Sequence, residues 1–483
     1  NLDAKNCIAY YQTDVPPLLE HYVFYFKDAK TANKALDKLG KYDVGMPGTI
    51  IDSANCMVAQ GVLLEDGRGY VYIIGKSPEK NWLSLTGEYL NDVFQQIKAG
   101  DGYEQVDITE PFTLAREYEL SDDSTINYLL PVIKLQQGEM NYRYTVPSTH
   151  LYLQALGTYQ SRITNLEPEL EQTLQEWRVI NRYWDSQPDI KYLATDEKTL
   201  DFLLQQSKER QIVMINENHF SPDNRLLVML LLDDWYKQGF RYLALEMLWD
   251  KNINGRGFAA SHSGFYTKEP MASKLIKEAS NRGFKVFGYD DFSKDRERNQ
   301  AKNIYDCTFK VDTLAKVIVL AGFEHISERA SAGGRTWMAA EFKQTYHIDP
   351  LTIDQVEYKT DKRYNLAVID TVSAPKKRRI QADIYVSNNL NYETFARLNH
   401  YVDYIIELPD TVINRMNKLV QSDYIISIYN AADYRADSTA IPIYNFMIKK
   451  PAPGKITIPL QKGSYLFLLK NTYNELIFSG TMD

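Results

Sequence analysis

Cysteine is scarce in this chain: Cys7, Cys56 and Cys307 are the only three in 483 residues. None stands in a Cys-x-x-Cys pair, so a thiolate zinc site is not expected. Cys7 and Cys56 could bridge in an exported protein, and two scattered free thiols fit equally well. Long apolar runs are also missing. The longest unbroken one, Leu226 to Leu232, falls far short of the ~18 residues that a membrane-spanning helix needs. The chain as given is therefore expected to be soluble. Basic charge is not in excess: 55 Lys and Arg face 63 Asp and Glu, a net charge of −8 that argues against a nucleic-acid partner. The one basic run, Lys376-Lys377-Arg378-Arg379, lies between two strand-like segments and reads as a solvated loop. Familiar catalytic signatures are absent as well: no Gly-x-Ser-x-Gly elbow, no His-Glu-x-x-His and no phosphate-binding loop. Gly255-Arg256-Gly257-Phe258-Ala259-Ala260 echoes a dinucleotide loop, but it sits too far past the preceding strand and opens no helix.

The length implies roughly three domains. Residues 1–160 mix strand signals (Tyr22 to Phe26, Gly69 to Gly75) with helix signals (Thr31 to Leu39, Asn81 to Ala99), as an α+β domain of unknown role would. Residues 161–208 read as a helical connector. There Leu170, Leu174, Trp177, Ile180 and Trp184 recur at helical steps, and a second helix spans about 196–208. Residues 411–483 hold short strand-like runs separated by turn residues, which suggests a small C-terminal β-module.

Between them, residues 209–410 alternate strictly. Expected strands are 212–216, 242–247, 284–289, 316–321 and 351–356. Expected helices are 222–238, with Ser221 as N-cap and Pro222 at the first helical position, 270–281, 294–305 and 335–346. Short apolar strands alternating with helices imply βαβ units and a parallel sheet with right-handed crossovers. Further strands are expected at 364–371 and 381–387. The fold class is thus α/β, a central parallel-sheet domain with an N-terminal α+β domain and a C-terminal β-module.

Reactive groups in such sheets collect beyond the carboxyl ends of the strands. The first strand ends in Glu217 and His219, the second in Glu246, the third in Tyr289, Asp290 and Asp291, the fourth in Gly322, Glu324 and His325. Two of only seven histidines therefore fall at one edge, among several carboxylates. A lone histidine after a strand is usually a loop or capping residue, and Asp290 and Asp291 could simply cap the next helix. Glu246 is more telling. It lies within Leu-Ala-Leu-Glu-Met-Leu, and a buried unpaired carboxylate costs several kcal/mol, of order, so it needs a partner or a raised pKa. On the following helix Arg296, Asn299, Gln300 and Asn303 share one face, and Arg296 could reach an anionic group at the strand edge or, equally well, belong to a solvated helix start. His262 in the long loop after the second strand is a surface histidine or part of a lid.

Asn216-Glu217-Asn218-His219, Leu245-Glu246, the Arg296-Glu297 helix and Gly322-Phe323-Glu324-His325 resemble the erythromycin-esterase/ChaN-like superfamily, itself similar to TraB/TIKI proteins. The resemblance covers about residues 205–360. Asn216 stands where that family usually has Gly. The resemblance implies several functions. One is a hydrolase in which His219 or His325 activates water, Glu217 and Glu246 orient the imidazoles and Arg296 stabilises an oxyanion. Its substrate would be a small molecule or a peptide. A metal-dependent version would hold Zn or Mn on Glu217, His219 and His325. The ChaN-like alternative binds haem, with Tyr289 or Tyr266 as further candidates, and a third possibility is a non-catalytic surface protein. The resemblance, with the start at Asn1, gives the expectation of an exported protein, periplasmic or at the cell surface, whose leader is absent from the chain.

Overall fold

Two six-residue strands anchor the architecture, Ile212–Glu217 (β7) and Val317–Gly322 (β10), and every residue in both is buried. Strands covered on both faces carry unbroken apolar runs, which explains the spelling Ile-Val-Met-Ile and Val-Ile-Val-Leu-Ala. They pair in parallel from Val317 opposite Ile212 to Gly322 opposite Glu217. The computed structural model describes residues 6–12, 20–26, 49–52, 57–63, 69–75, 110–120, 125–137, 146–160, 190–246, 248–329, 336–358, 363–373, 380–418, 423–448 and 451–483.

The first five strands, Asn6–Gln12, Glu20–Phe26, Thr49–Asp52, Met57–Leu63 and Gly69–Gly75 (β1 to β5), form an antiparallel sheet in the order β1-β2-β5-β4-β3. They lie in one compact unit of the chain; the other unit holds Phe112–Gln137, Leu153–Ser331 and Thr336–Asp483. The helices expected at 31–39, 81–99 and 169–185, and Cys56, lie outside the described residues. Cys307 is a free, exposed thiol.

The larger unit is α/β. Besides β7 and β10 its central sheet contains Tyr192–Thr195 (β6), Tyr242–Leu245 (β8), Lys285–Gly288 (β9), Leu351–Asp354 (β11), Leu366–Ile369 (β12) and Ile384–Asn388 (β13). The order is β6-β12-β13-β11-β7-β10-β8-β9, parallel except where β12 runs against both its neighbours. The helices relevant here are Pro111–Glu117 (α1), Leu129–Gln137 (α2), Val146–Gln160 (α3), Glu197–Ser207 (α4), Asn224–Lys237 (α5), Pro270–Asn281 (α6) and Arg296–Cys307 (α7). Helix α5 packs its fully buried Trp235 towards α4, where the indole N–H donates to Ser207 Oγ at 3.0 Å.

The chain leaves β7 towards β8 and leaves β10 towards β11, on the opposite side. The carboxyl ends of β7 and β10 therefore flank a topological switch point, where open α/β sheets leave a crevice.

Two helix expectations are corrected. Helix α5 starts at Asn224 rather than at Pro222, because Ser221, Pro222 and Asp223 are spent on a turn whose carbonyls accept from the N–H groups of 224, 225 and 226. The helix expected at 335–346, described from 336 on, is not a uniform α-helix. A single α-turn, Met338–Glu341, passes into a π-helical turn, Phe342–Tyr346, and His347 at φ 56° ends it.

Towards the C-terminus lie two small antiparallel sheets. One pairs Val402–Glu407 (β14) with Lys455–Leu460 (β17). The other comprises Tyr424–Asn430 (β15), Tyr444–Ile448 (β16), Tyr465–Asn471 (β18) and Leu476–Met482 (β19) in the order β16-β15-β18-β19. Backbone bonds tie this region to the loop after β8: Ser261 N donates to Thr439 O, and Ile441 N donates to Ala259 O. Among the described residues no helix is long and apolar enough to cross a membrane.

Candidate active site

Glu217, His219, Glu246, Arg296 and His325 converge at the switch point. Glu246 follows β8, Glu217 ends β7, and His325 lies in the short 3-10 turn after β10. Glu246 is the hub. Its Oε2 accepts the Gly322 backbone N–H at 2.6 Å, and its Oε1 accepts from Arg296 Nη2 at 2.7 Å. The two imidazoles face it from either side: His219 Nε2 is 3.7 Å from Oε2 and His325 Nε2 is 3.5 Å from Oε1. These separations exceed a good hydrogen bond.

Each imidazole is oriented from behind by a carboxylate. His219 Nδ1 is 3.0 Å from Glu217 Oε1, and His325 Nδ1 is 2.8 Å from Glu297 Oε2. An ionised carboxylate only accepts, so each pair keeps a proton on Nδ1 and leaves Nε2 turned to Glu246. The result is a near-symmetric row: Glu217, His219, Glu246, His325, Glu297.

Charge sets the protonation states. Burial pushes the Glu246 carboxyl up, but His325, His219 and Arg296 outweigh it and hold it well below the usual carboxylate range. Burial likewise acts on Glu217 and is overcome by Arg225 and His219, so that carboxyl also sits low. Burial lowers His325, but Glu246 and Glu297 reverse the effect and push it up to about 9.

Sequence reasoning missed the support behind Glu217. Arg225, in the first turn of α5, clamps both carboxylate oxygens, Nε to Oε2 at 2.8 Å and Nη2 to Oε1 at 2.7 Å. Its remaining Nη1 donates to Glu269 Oε2 at 2.5 Å. Glu269 is also the N-cap of α6, accepting from the N–H groups of Met271 and Ala272 at 2.7 Å each. An arginine inside the run Asn-Arg-Leu-Leu-Val-Met was the available clue, since a guanidinium in an apolar stretch of helix must find an anion.

Aromatic rings enclose the imidazoles. Tyr266 stacks on His219 with centroids 4.0 Å apart and planes 18° from parallel, and its hydroxyl donates to Gln154 Oε1 of α3 at 3.1 Å. The loop bearing Tyr266 is pinned nearby, where Lys268 Nζ and the Tyr159 hydroxyl both donate to Glu119. Phe323 meets His219 edge-on at 5.6 Å, and Trp337 meets His325 edge-on at 6.1 Å. Phe323 holds a positive φ of 38°, a strained conformation for a bulky residue. Its carbonyl is fixed by Asn216 Nδ2 at 3.0 Å. Asn216 also donates to Asp354 Oδ2 at 2.6 Å and accepts from Gln355 N at 2.8 Å. Asn216 therefore binds the ends of β7 and β11 together. Burial pushes Asp354 up to about 7.

The α7 face serves the β9 loop. Arg296 Nε and Nη2 reach Asp290 Oδ1 at 3.1 and 2.9 Å, Gln300 Nε2 reaches the same oxygen at 2.6 Å, and Asn303 Nδ2 donates to Tyr289 O at 3.0 Å. Arg296 Nη1 has no partner among the described residues, and its side chain is 30% exposed, the most open in the cluster. Tyr289, a haem-ligand candidate, is buried with its hydroxyl donating to Leu320 O at 3.0 Å. His262 is exposed, 3.3 Å from Arg256 Nη1. Of the metal candidates, Glu217 has both oxygens taken by Arg225. Among the described residues no group of three or more His, Cys, Asp or Glu side chains is placed to hold a metal ion.

No family model and no curated protein matches the chain. Some solved structures are similar to parts of it. The type III effector HopBA1 is 14% identical with a TM-score of 0.29, over 43% of this chain and 100% of that one. Two bacterial protein toxin structures are 13% and 14% identical, each with a TM-score of 0.26, over 64% and 65% of this chain. The match spans 62% of each toxin chain, less than two thirds of its length.

Proposed function

We propose that the α/β domain is a hydrolase of the erythromycin-esterase type that cleaves an ester or amide by direct attack of water. One observation carries the reading: two histidines, each backed by its own carboxylate, present Nε2 to opposite oxygens of one clamped glutamate. His219 Nε2, with its proton held on Nδ1 by Glu217, is the general base that takes a proton from water. The hydroxide equivalent adds to the carbonyl carbon. Arg296 Nη1, on the most exposed side chain of the cluster, meets the oxygen that becomes negative. His325, protonated at neutral pH, gives its proton to the leaving oxygen or nitrogen as the bond breaks. The products are an acid and an alcohol or amine. Glu246 faces both imidazoles and stabilises the charged form of His325. The test is a panel of chromogenic esters and amides turned over in 18O-labelled water. One labelled oxygen in the acid product is expected, with turnover lost in His219→Ala.

The pH dependence follows from His325. With alkyl esters or amides, whose leaving groups need its proton, kcat/KM is expected to fall as pH rises through about 9, and a His325→Gln variant is expected to lack that limb. Stability moves the same way. The folded-state value lies above the ordinary histidine value of ~6.5. The contribution, about 3 kcal/mol, is complete below that value and lost as pH rises through about 9. Denaturant midpoints across pH read it directly.

Gly322 supplies a further test. A Cβ there would stand 2.7 Å from His219 Cε1 and 2.9 Å from Glu246 Oε2, inside normal contact distance. Gly322→Ala is expected to shift the imidazole and cost about 10²-fold in kcat/KM, since a displacement of ~1 Å can do so. Unchanged kinetics would show that this geometry does not matter to turnover.

A further inference from the structure

We infer that Tyr266 is the positioning residue of the general base: its ring sets the plane of the His219 imidazole and stabilises that imidazole once it has taken the proton from water. The inference rests on the hydrolytic reading above and adds a residue to it.

Glu217 alone does not fix the imidazole. Its carboxylate holds His219 Nδ1 at 3.0 Å. That bond directs the ring but leaves its tilt open, because the χ2 torsion of histidine is broad. Tyr266 closes that freedom. The two rings lie 4.0 Å apart and 18° from parallel, so the imidazole cannot tilt towards the tyrosine. The backbone at Gly322 crowds the Nε2 edge, where a Cβ would stand 2.7 Å from His219 Cε1.

The stacked contact also falls on the imidazole that gains charge. His219 becomes a cation as it takes the proton, and the face of an aromatic ring attracts a cation. An interaction that strengthens only as the proton moves raises kcat and leaves KM alone. His325, the acid, meets its aromatic neighbour Trp337 edge-on instead, at 88°. Tyr266 itself stays neutral, since burial, followed by Glu246 and Glu217, pushes its hydroxyl well above the ordinary value.

Tyr266 is held from several sides. Its hydroxyl donates to Gln154 Oε1 at 3.1 Å. Phe265 meets it edge-on at 5.2 Å and packs on Phe112 at 4.4 Å, and the Arg116 guanidinium lies 5.1 Å from the Phe265 ring centre. Two residues on, the Lys268 ammonium donates to the buried Glu119, and the Lys268 carbonyl accepts from the Tyr128 hydroxyl at 2.7 Å. A ring locked in this way imposes its plane on its neighbour instead of following it.

The test compares Tyr266→Phe with Tyr266→Leu in the full chain, using p-nitrophenyl esters. Phenylalanine keeps the ring face and loses the bond to Gln154; leucine loses the face. Tyr266→Leu is expected to lower kcat by about tenfold or more with KM little changed, and Tyr266→Phe to keep most of the parent rate. Should leucine prevent folding, Tyr266→Met, a flexible side chain that fills irregular space, replaces it. A second readout needs no turnover. In histidine-labelled protein the His219 Cε1–H magnetic resonance, assigned by its loss in His219→Ala, is expected upfield beneath the tyrosine ring. It should stay there in Tyr266→Phe and move downfield in Tyr266→Leu. An intact kcat in Tyr266→Leu, a Tyr266→Phe as slow as Tyr266→Leu, or a resonance unmoved in Tyr266→Leu overturns the positioning role and leaves hydrolysis standing. No turnover of any ester or amide by the parent, with the upfield resonance in place, overturns hydrolysis and the role with it, while the stack stands.

Discussion

Replacing His219 with alanine is expected to lower kcat/KM by about 10²–10⁴-fold, the usual cost of losing a general base. The fold should survive. Glu217 keeps its two bonds to Arg225 when the imidazole is gone, so no carboxylate is stranded. Added imidazole is expected to restore part of the rate, because the vacated space lies between Tyr266 and Glu246. His325 is separated from His219 by leaving-group chemistry. An acid matters most when the departing group is a poor one, so His325→Gln should cost little with p-nitrophenyl esters and far more with alkyl esters or amides. His219→Ala should cost the same with all of them. Full activity in both variants would end the hydrolytic reading.

How much of this could be read from the amino acids depended on the range of the physics. β7 and β10 were legible because strands buried on both faces spell continuous apolar runs. Helix α6 was legible to its ends, 270 and 281. The start of α5 was not, because the Ser-Pro-Asp that signals a helix start was used for a turn. The strand-end residues Glu217, His219, Glu246 and His325 were legible because a parallel sheet delivers them to one edge whatever the loops do. Arg225, Glu269 and Gln154 were not. Their bonds to the site span separations such as 44 positions between Arg225 and Glu269 and 112 between Gln154 and Tyr266. Such pairings leave no period or local motif that names the partner, although the guanidinium in an apolar stretch marks Arg225 itself as needing one. The role of Asn216 was hidden for the same reason, since its partners Phe323, Asp354 and Gln355 are all more than 100 residues away.

Removing Arg225 is expected to have the largest effect on stability. Arg225 is 2% exposed and lies between Glu217 and Glu269, themselves 6% and 1% exposed by side chain. Arg225→Met keeps most of the apolar volume and deletes the charge, leaving both carboxylates facing each other without their cation. Breaking a buried pair in this way costs about 3–5 kcal/mol, because the remaining charge is uncompensated. The loss should depend on pH in a definite direction. Arg225 now holds Glu217 low, so in the native chain this glutamate's contribution is present above the unfolded carboxyl value and lost on strong acidification. Without the guanidinium, burial raises Glu217, the folded variant binds its proton more readily than the unfolded chain does, and stability recovers as pH falls. The gap between variant and parent in denaturant midpoint should therefore be widest near pH 8 and narrow towards pH 5. A gap that stayed constant over that range would mean that Arg225 acts through packing rather than charge. Activity separates the two roles of the residue. Glu217 without its clamp no longer fixes the His219 ring, so kcat should fall even at a temperature where the variant remains fully folded.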